Sequence, residues 1–160
     1  MSRVCCFTGH RRIADDHILR LPEMLDSLLD ELIADGVYTF KAGGAVGFDT
    51  LCALKVLEKK KTNEKIRLEL CLPCHDQTKC WGNQDVFAYN YILAHADTIK
   101  YAEDLYTKGC MFKRNRMLVN GSDVCVAFCA TAHGGTAYTC SYAKETGVRL
   151  INLFDRFSKN

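Results

Sequence analysis

The chain has 160 residues, of which 48% are hydrophobic, so it is long enough for one domain with a buried core. Its formal net charge of +2 excludes a strong general attraction to nucleic acid or acidic membranes, and any anion site must be local. The sequence lacks a run of about 18 apolar residues and its first 20 residues carry charges, so neither a membrane span nor a signal peptide is expected.

The first half of the chain predicts two strands, each followed by a glycine-containing turn, and two helices. Apolar residues at helical spacing from Ile18 to Ile33 predict one amphipathic helix between Asp15-Asp16 and Gly36. The remaining elements of this half are a strand at Val4 to Phe7, a turn at Thr8-Gly9-His10-Arg11, a strand at Val37 to Lys41, a turn at Ala42 to Asp49, and a helix from Gly47 to about Lys61.

The second half continues the alternation of strands and helices. Ile66, Leu68, Leu70 and Leu72 alternate with more polar residues, which predicts a strand with one wetter face near the edge of a sheet. The elements that follow are a helix from about Asn83 to His95, a strand at Thr98 to Tyr101, a helix through Phe112, Met117 and Leu118, a buried strand at Val124 to Phe128, a turn at His133-Gly134-Gly135-Thr136 that opens a helix ending near Gly147, and a strand at Val148 to Leu153.

This order of elements predicts an α/β fold. Strands that alternate with helices form right-handed crossovers, so we expect a Rossmann-like, doubly wound, mostly parallel sheet with helices on both faces, in a single domain over residues 1–160. Ligands of such sheets bind beyond the carboxyl ends of the strands. All three glycine turns are predicted on that side.

The three turns predict a site for a phosphate group. Amides at the start of a helix lack partners within the helix, and the helix dipole makes them attractive to anions. Each turn alone is equally explained as a tight connection, His10 as a solvated loop residue, and Asp49 as a complement to a helix start. Their joint placement favours one nucleotide-sized site. Its candidate residues are Thr8, Gly9, His10, Arg11, Gly43, Gly44, Asp49, Gly134, Gly135 and Thr136.

Two further patterns have simple explanations. The run Lys108, Lys113, Arg114 and Arg116 is typical of a solvated basic face, although Arg114 and Arg116 could clamp a phosphate. It is too short and too poor in aromatic residues to predict nucleic-acid binding. The run Cys71-Leu72-Pro73-Cys74-His75, with Cys80 beyond it, matches thiol-pair, haem and zinc patterns but lacks the context that each requires.

We therefore expect neither a metal nor a cofactor. Ten cysteines in a chain without an export signal predict reduced thiols and a cytoplasmic location. Cys5, Cys6, Cys125 and Cys129 lie in or beside apolar runs, where cysteine behaves as a small hydrophobic residue.

With these motifs in view, the chain resembles the YspA/YpsA-like branch of the SLOG superfamily, which also contains the LOG phosphoribohydrolases and the DprA/Smf proteins. The resemblance implies a nucleotide or nucleotide-derived ligand, such as an ADP-ribose-like molecule, and a sensor or effector role in bacteria or phages. It is carried by Cys6 to Arg11, Gly43 to Asp49, Pro73 with Gln77 and Trp81, Arg114-Asn115 with Ser122-Asp123, and Gly134 to Thr136.

The same resemblance argues against the LOG reaction, which removes the base from a nucleoside 5′-monophosphate. In the LOG signature a glutamate follows the glycine-threonine pair within a turn, whereas Ala137 to Lys144 contain no carboxylate here. Glycosidic cleavage needs a carboxylate near the reacting carbon. Asp49 is the one residue that we can name as a substitute for the missing glutamate.

We therefore expect a binding protein in which binding is coupled to a protein partner or a homo-oligomer. The glycine turns, Thr8 and Arg11 would hold phosphates, His10 and Asp49 would contact the ribose, and Arg114 would form a positive wall. The alternatives are an N-glycosidase that uses Asp49 and a DprA-like protein that binds single-stranded nucleic acid.

Overall fold

A computed structural model of the chain describes residues 3–157. Within that range no helix is long and apolar enough to cross a membrane. The elements are β1 (Arg3–Gly9), α1 (Asp15–Ile18), α2 (Leu21–Ala34), β2 (Val37–Ala42), α3 (Phe48–Lys60), β3 (Arg67–Leu72), α4 (Asn83–His95), β4 (Thr98–Tyr101), α5 (Cys110–Val119), β5 (Val124–Phe128), α6 (Gly135–Glu145), β6 (Arg149–Asn152) and a 3₁₀ helix (Leu153–Arg156).

The six strands form one sheet in the order β4-β3-β2-β1-β5-β6, and every neighbouring pair is parallel. The predicted Rossmann-like α/β fold is therefore confirmed. The strand over Arg67–Leu72 lies next to the edge strand, in agreement with its alternating pattern. The central strands β1 and β5 pair up to their carboxyl ends, where Gly9 lies opposite Phe128.

Helices cover both faces of the sheet. Alternate residues of β1 point to opposite faces, so Phe7 packs with the helices α2, α3 and α4, whereas Cys6 packs with α5 and α6. The chain leaves the edge strand β4 through α5 and returns to pair β5 with β1. The crossovers therefore change direction between β1 and β5, which is where open α/β sheets bind ligands.

The predicted single helix between Asp15 and Gly36 is wrong. The structure has two helices, separated at Leu19–Arg20, and Pro22 lies in the first turn of the second. Proline lacks the amide hydrogen that a helix interior requires and is accommodated well only at a helix start. Ile18 therefore lies outside the long amphipathic helix and is 39% exposed.

Candidate functional site

A pocket of about 410 Å³ lies beyond the carboxyl ends of β1 and β5, at the point where the crossovers change direction. Its walls come from the end of β1, the connection before α3 and its first turn, one side of α5 and the start of α6. The lining residues are Thr8, Gly9, His10, Arg11, Ala45, Asp49, Met111, Phe112, Arg114, Asn115, Leu118, Gly135 and Thr136.

Most of the residues predicted from the sequence line this pocket, but Gly43, Gly44 and Gly134 do not. Gly43 lies behind Arg114, and a Cβ atom there would be 2.8 Å from Asp49 Oδ2. Gly44 and Gly134 have φ angles of +74° and +105°, which favour glycine in these connections whether or not a ligand is bound.

Buried polar side chains are concentrated at the pocket. The buried polar or charged residues of the described chain are Thr8, Asp49, Arg114, Asn115, Ser122 and Thr139. The first four of them line the pocket. Because burial of a polar group costs free energy unless it is compensated, this concentration in one crevice indicates a built site.

Arg114 is held rigidly at the pocket wall and is only 6% exposed. Its Nε donates to Asn115 Oδ1 at 2.8 Å, and its Nη1 donates to the carbonyl of Gly43. Its Nη2 has the sulfur of Met111 as acceptor, at 3.8 Å. Burial lowers the pKa of Arg114, Asp49 raises it, and a guanidinium stays protonated in proteins. Since sulfur is a weak acceptor, Nη2 can bind a ligand anion.

The interpretation of residues 108–116 as a solvated basic face is wrong for Arg114, because α5 turns that side chain into the pocket. Two other cations of the run already have partners. Lys113 pairs with Glu103 at 2.9 Å, and Arg116 donates to the hydroxyl of Tyr138 at 3.0 Å. Arg114 therefore forms part of the pocket wall, whereas Lys113 and Arg116 make contacts outside it.

Asp49 lies in the first turn of α3 and is only 5% exposed. Its Oδ2 accepts a hydrogen bond from the amide of Ala45 at 3.2 Å. Burial raises the pKa of Asp49 to about 6, against the opposing effect of Arg114. The ion pairs within 4.0 Å over residues 3–157 do not include Asp49. Its carboxyl group therefore titrates near neutral pH inside the pocket.

The predicted turn at Thr8 to Arg11 is wrong in its first half, because Thr8 and Gly9 belong to β1 and pair with β5. Thr8 is buried, and within the described residues its Oγ1 makes no hydrogen bond. A Cβ atom on Gly9 would lie 2.3 Å from the ring of Phe48. Glycine at position 9 therefore allows α3 to pack closely, while Thr8 offers a free hydroxyl to the pocket.

His10 connects two walls of the pocket. Its Nε2 accepts a hydrogen bond from the amide of Ala130 at 2.7 Å. Because a backbone amide can only donate, Nε2 carries a lone pair and the ring proton is on Nδ1. Burial lowers the pKa of His10, which favours this neutral form. His10 is therefore held in place and is not a free loop residue.

The three turns expected to be anion cradles differ in structure. The loop after β1 leads to α1, which has four residues and starts only at Asp15. The start of α3 already holds Asp49, and the amide of Phe48 donates to the carbonyl of His10 at 3.1 Å. The first turn of α6 contains no acidic residue, and its Gly135 and Thr136 line the pocket.

Five lining residues were not predicted from the sequence. Ala45 and Asn115 were part of the motifs that carry the family resemblance, so they could have been assigned together with Asp49 and Arg114. The other three look like ordinary core positions, and nothing in their local pattern distinguishes them. They are Met111, Phe112 and Leu118.

The cysteine pattern after β3 lies away from this pocket. Cys71 and Cys74 are buried, Cys80 is exposed, and the ring of His75 stacks on Tyr101 at 3.5 Å between centroids. Between residues 3 and 157 no cluster of three or more histidine, cysteine or acidic side chains is placed to hold a metal.

Comparisons with known proteins agree with this architecture. The family model described as YspA SLOG family matches residues 6–150. An uncharacterised SPbeta prophage-derived protein, YoqJ of Bacillus subtilis (strain 168), is 29% identical over 156 residues, which cover 88% of this chain and 91% of that protein.

Two solved structures share the fold. DNA processing protein A from Helicobacter pylori, described with a single-stranded DNA binding mode, has a TM-score of 0.66 at 20% identity. The match covers 92% of this chain but only 63% of that chain, less than two thirds of its length. The structural-genomics target TM1055 has a TM-score of 0.63 at 19% identity, with coverage of 100% and 82%.

Proposed function

The chain belongs to the YspA SLOG family, and from this premise we propose that its pocket binds a nucleotide or a nucleotide derivative such as an ADP-ribose-like molecule. In this proposal the protein is a cytoplasmic sensor or effector whose ligand state controls a protein partner or a homo-oligomer. The observation that carries the proposal is the convergence of four buried polar side chains on one pocket. They are Thr8, Asp49, Arg114 and Asn115.

The phosphate position in this proposal is at the start of α6. Gly135 and Thr136 line the pocket there, and the helix dipole adds positive potential. Arg114 supplies Nη2, which has only a sulfur acceptor, and Arg11 lines the same pocket. Two guanidinium groups and one carboxyl group leave the pocket positive, so an anionic group is the favoured occupant.

The rest of the pocket suits a nucleoside. Met111, Phe112 and Leu118 give it an apolar side, and Phe112 is 44% exposed and so available for contact with a base. Thr8 and Asp49 offer a hydroxyl and a carboxyl group for the hydroxyls of a ribose. A volume of about 410 Å³ lies within the range of ligand pockets.

Thermal unfolding with a ligand panel tests the proposal. The panel contains adenosine and guanosine 5′-monophosphates, ADP, ADP-ribose and ribose 5-phosphate. A bound ligand at about 100 times its dissociation constant stabilises the folded state by roughly 2.7 kcal/mol. Absence of a shift with every member of the panel would contradict the proposal.

A pair of threonine variants assigns the binding to this pocket. Thr8→Val removes a hydroxyl that has no partner within the described residues, so we expect weaker ligand binding with little loss of stability. The matched control is Thr139→Val, which removes a buried hydroxyl that donates to the carbonyl of Gly135 at 2.9 Å. The control is expected to lower stability slightly and to leave most of the ligand affinity. Equal affinity loss in both variants would argue against a direct role of Thr8.

A second candidate function is the N-glycosidase reaction, and the environment of Asp49 favours it. A buried carboxyl group with a pKa of about 6 is suited to general acid or base catalysis near neutral pH. Incubation with nucleoside 5′-monophosphates should then release free base, and Asp49→Asn should abolish that release. Binding of these nucleotides without release of free base would argue against the glycosidase reaction and support the binding function.

Single-stranded DNA binding receives less support. The likeness to DNA processing protein A rests on 20% identity and concerns the fold. Arg114 is buried, and Lys113 pairs with Glu103, so these two cations do not form an open basic track. A salt-dependent affinity for oligonucleotides that falls in the variant Lys113→Gln would revive this function.

A further inference from the structure

The connection between β5 and α6, residues 129–134, leads into the start of α6, which lines the candidate site, but the connection itself has few attachments. Residues 130–134 are exposed. Its first residue is clamped, because the side-chain amide of Asn152 bonds to both the amide and the carbonyl of Cys129 at 3.0 Å. Its last residue, Gly134, leads directly into α6.

Between these two ends, one hydrogen bond ties the loop to another part of the described chain. It runs from the amide of Ala130 to Nε2 of His10, at 2.7 Å. Two other side-chain bonds of this segment are internal, from Cys129 Sγ to the carbonyl of Thr131 and from Thr131 Oγ1 to the carbonyl of His133. The thiol of Cys129, at the clamped end, also interacts with Cys140 on α6. His10 therefore holds the loop at its second residue, Ala130.

His10 itself is well fixed. Its carbonyl accepts the amide of Phe48 at 3.1 Å, and its ring lies edge-on to Phe128, with 6.2 Å between centroids. The bond to Ala130 thus joins two rigid strand ends, β1 and β5. Protonation of Nε2 would remove the lone pair that accepts this bond and would set two donors against each other.

We infer that the neutral imidazole of His10 is a positioning group that latches the 129–134 loop against the end of β1. The start of α6 then keeps its position in the pocket only while His10 is unprotonated. The effect on ligand affinity rests on the proposed function. The latch, which is the bond between His10 and Ala130, does not rest on the proposed function because it exists in the protein without ligand.

Other charged or titratable groups surround this latch and define the controls. Burial lowers the pKa of His10, which favours its neutral form. Burial raises the pKa of Asp49 to about 6, so this carboxyl group needs a control. His17 packs on Phe128, as His10 does, and His133 lies in the loop itself. The charged or titratable groups that share the pocket lining with His10 are Arg11, Asp49 and Arg114.

The test is an NMR titration of the protein without ligand, between about pH 8 and about pH 5. In the wild type we expect the amide signal of Ala130 to shift with the same midpoint as the imidazole signals of His10. In His10→Gln the side-chain oxygen can accept at the position of Nε2 but does not titrate in this range, so the Ala130 signal should stay constant. The control His133→Gln alters a loop histidine outside the latch and should keep the titration of the wild type.

A static Ala130 signal in the wild type, or the same shift in His10→Gln, would overturn the inference. A second measurement uses adenosine 5′-monophosphate as probe and compares dissociation constants of wild type and His10→Gln at each pH. Because both proteins keep Asp49, its titration cancels in the ratio. The dissociation constant of the wild type divided by that of His10→Gln should rise by about tenfold from pH 7.5 to pH 5, because only the wild type loses one hydrogen bond. If the probe does not bind, the proposed function is challenged, while the NMR result still decides the latch.

Discussion

The two ends of α3 place charged side chains in opposite environments. At its start, Asp49 is buried in the pocket and has a pKa raised to about 6. Within the described chain, Asp49 belongs to none of the ion pairs within 4.0 Å. At its other end, Lys59 contacts Asp26 and Asp30 on α2, each at 2.8 Å, and the two acidic side chains remain partly exposed. The hydrogen bond from Lys59 lowers the pKa of Asp26.

This difference separates a group placed for stability from one placed for a ligand. The Lys59 end joins two helices through carboxylates that remain partly exposed, so it costs little to form. The Asp49 end keeps a carboxyl group in a crevice where its charged form is penalised. Perturbed groups of this kind cluster at functional sites. The three predictions below test whether the two ends differ as described.

The largest effect is expected from Arg114→Met. The substitution removes the buried cation that interacts with Asp49 and leaves the carbonyl of Gly43 and Oδ1 of Asn115 without this donor. Loss of one partner from a buried charged network costs about 3–5 kcal/mol. Urea unfolding at neutral pH measures the loss.

The matched control is Arg116→Met, two residues along the same helix, where the guanidinium donates to Tyr138 at the surface. We expect this control to lose at most about 1 kcal/mol. Similar losses in both variants would show that the pocket arginine is no more important to stability than a surface one.

An intermediate effect of opposite sign is expected from Asp49→Asn. The folded pKa of about 6 lies above the unfolded value near 3.8, so the carboxylate destabilises the fold above pH 6. This penalty shrinks as the pH falls below 6 and disappears only well below the unfolded value of 3.8, where Asp49 is protonated in both states. Asparagine can still accept the amide of Ala45 and should therefore stabilise the protein by about 1–3 kcal/mol at pH 8.

Urea unfolding of wild type and Asp49→Asn from pH 4 to pH 8 tests this sign. The difference between the two proteins should be largest at alkaline pH and should shrink steadily as the pH falls to 4. A destabilised variant at pH 8 would mean that the ionised carboxylate supports the fold, and the comparison between the two ends of α3 would fail.

The smallest effect is expected from Lys59→Met. The substitution keeps the packing of the side-chain stem and removes a charge shared by Asp26 and Asp30. We expect a loss of about 0.5–1 kcal/mol that shrinks at high salt. A salt-independent loss of more than about 2 kcal/mol in the free energy of unfolding would instead mean that Lys59, Asp26 and Asp30 behave as a buried charge network.

The fold was largely predictable because hydrophobic periodicity and glycine turns report local structure. The strand and helix positions followed from runs such as Val124 to Phe128. The main error lay between Asp15 and Gly36, where apolar spacing continues through Pro22 although the helix does not. The spacing of apolar residues shows which face of a helix can be buried. The break between the two helices instead depends on Pro22, which lacks an amide hydrogen.

The candidate site was less predictable because it depends on side-chain direction across distant segments. The sequence indicated Arg114 as one cation among several, but only the fold shows that α5 turns it inward while Arg116 stays near the surface. The bond between His10 and Ala130 joins residues 120 positions apart, and no local pattern encodes it. The apolar side of the pocket has the composition of ordinary core.

The strand order also has a consequence for synthesis. The pocket draws on residues 8–49 from the first part of the chain and residues 111–136 from the last part, because β5 returns to pair with β1. A nascent chain cannot form this pocket until residue 136 has left the ribosome, even though β1 to β4 are already available. A molecule that occupies the pocket would therefore hold early and late segments together, and would select chains that extend past residue 136 over shorter products.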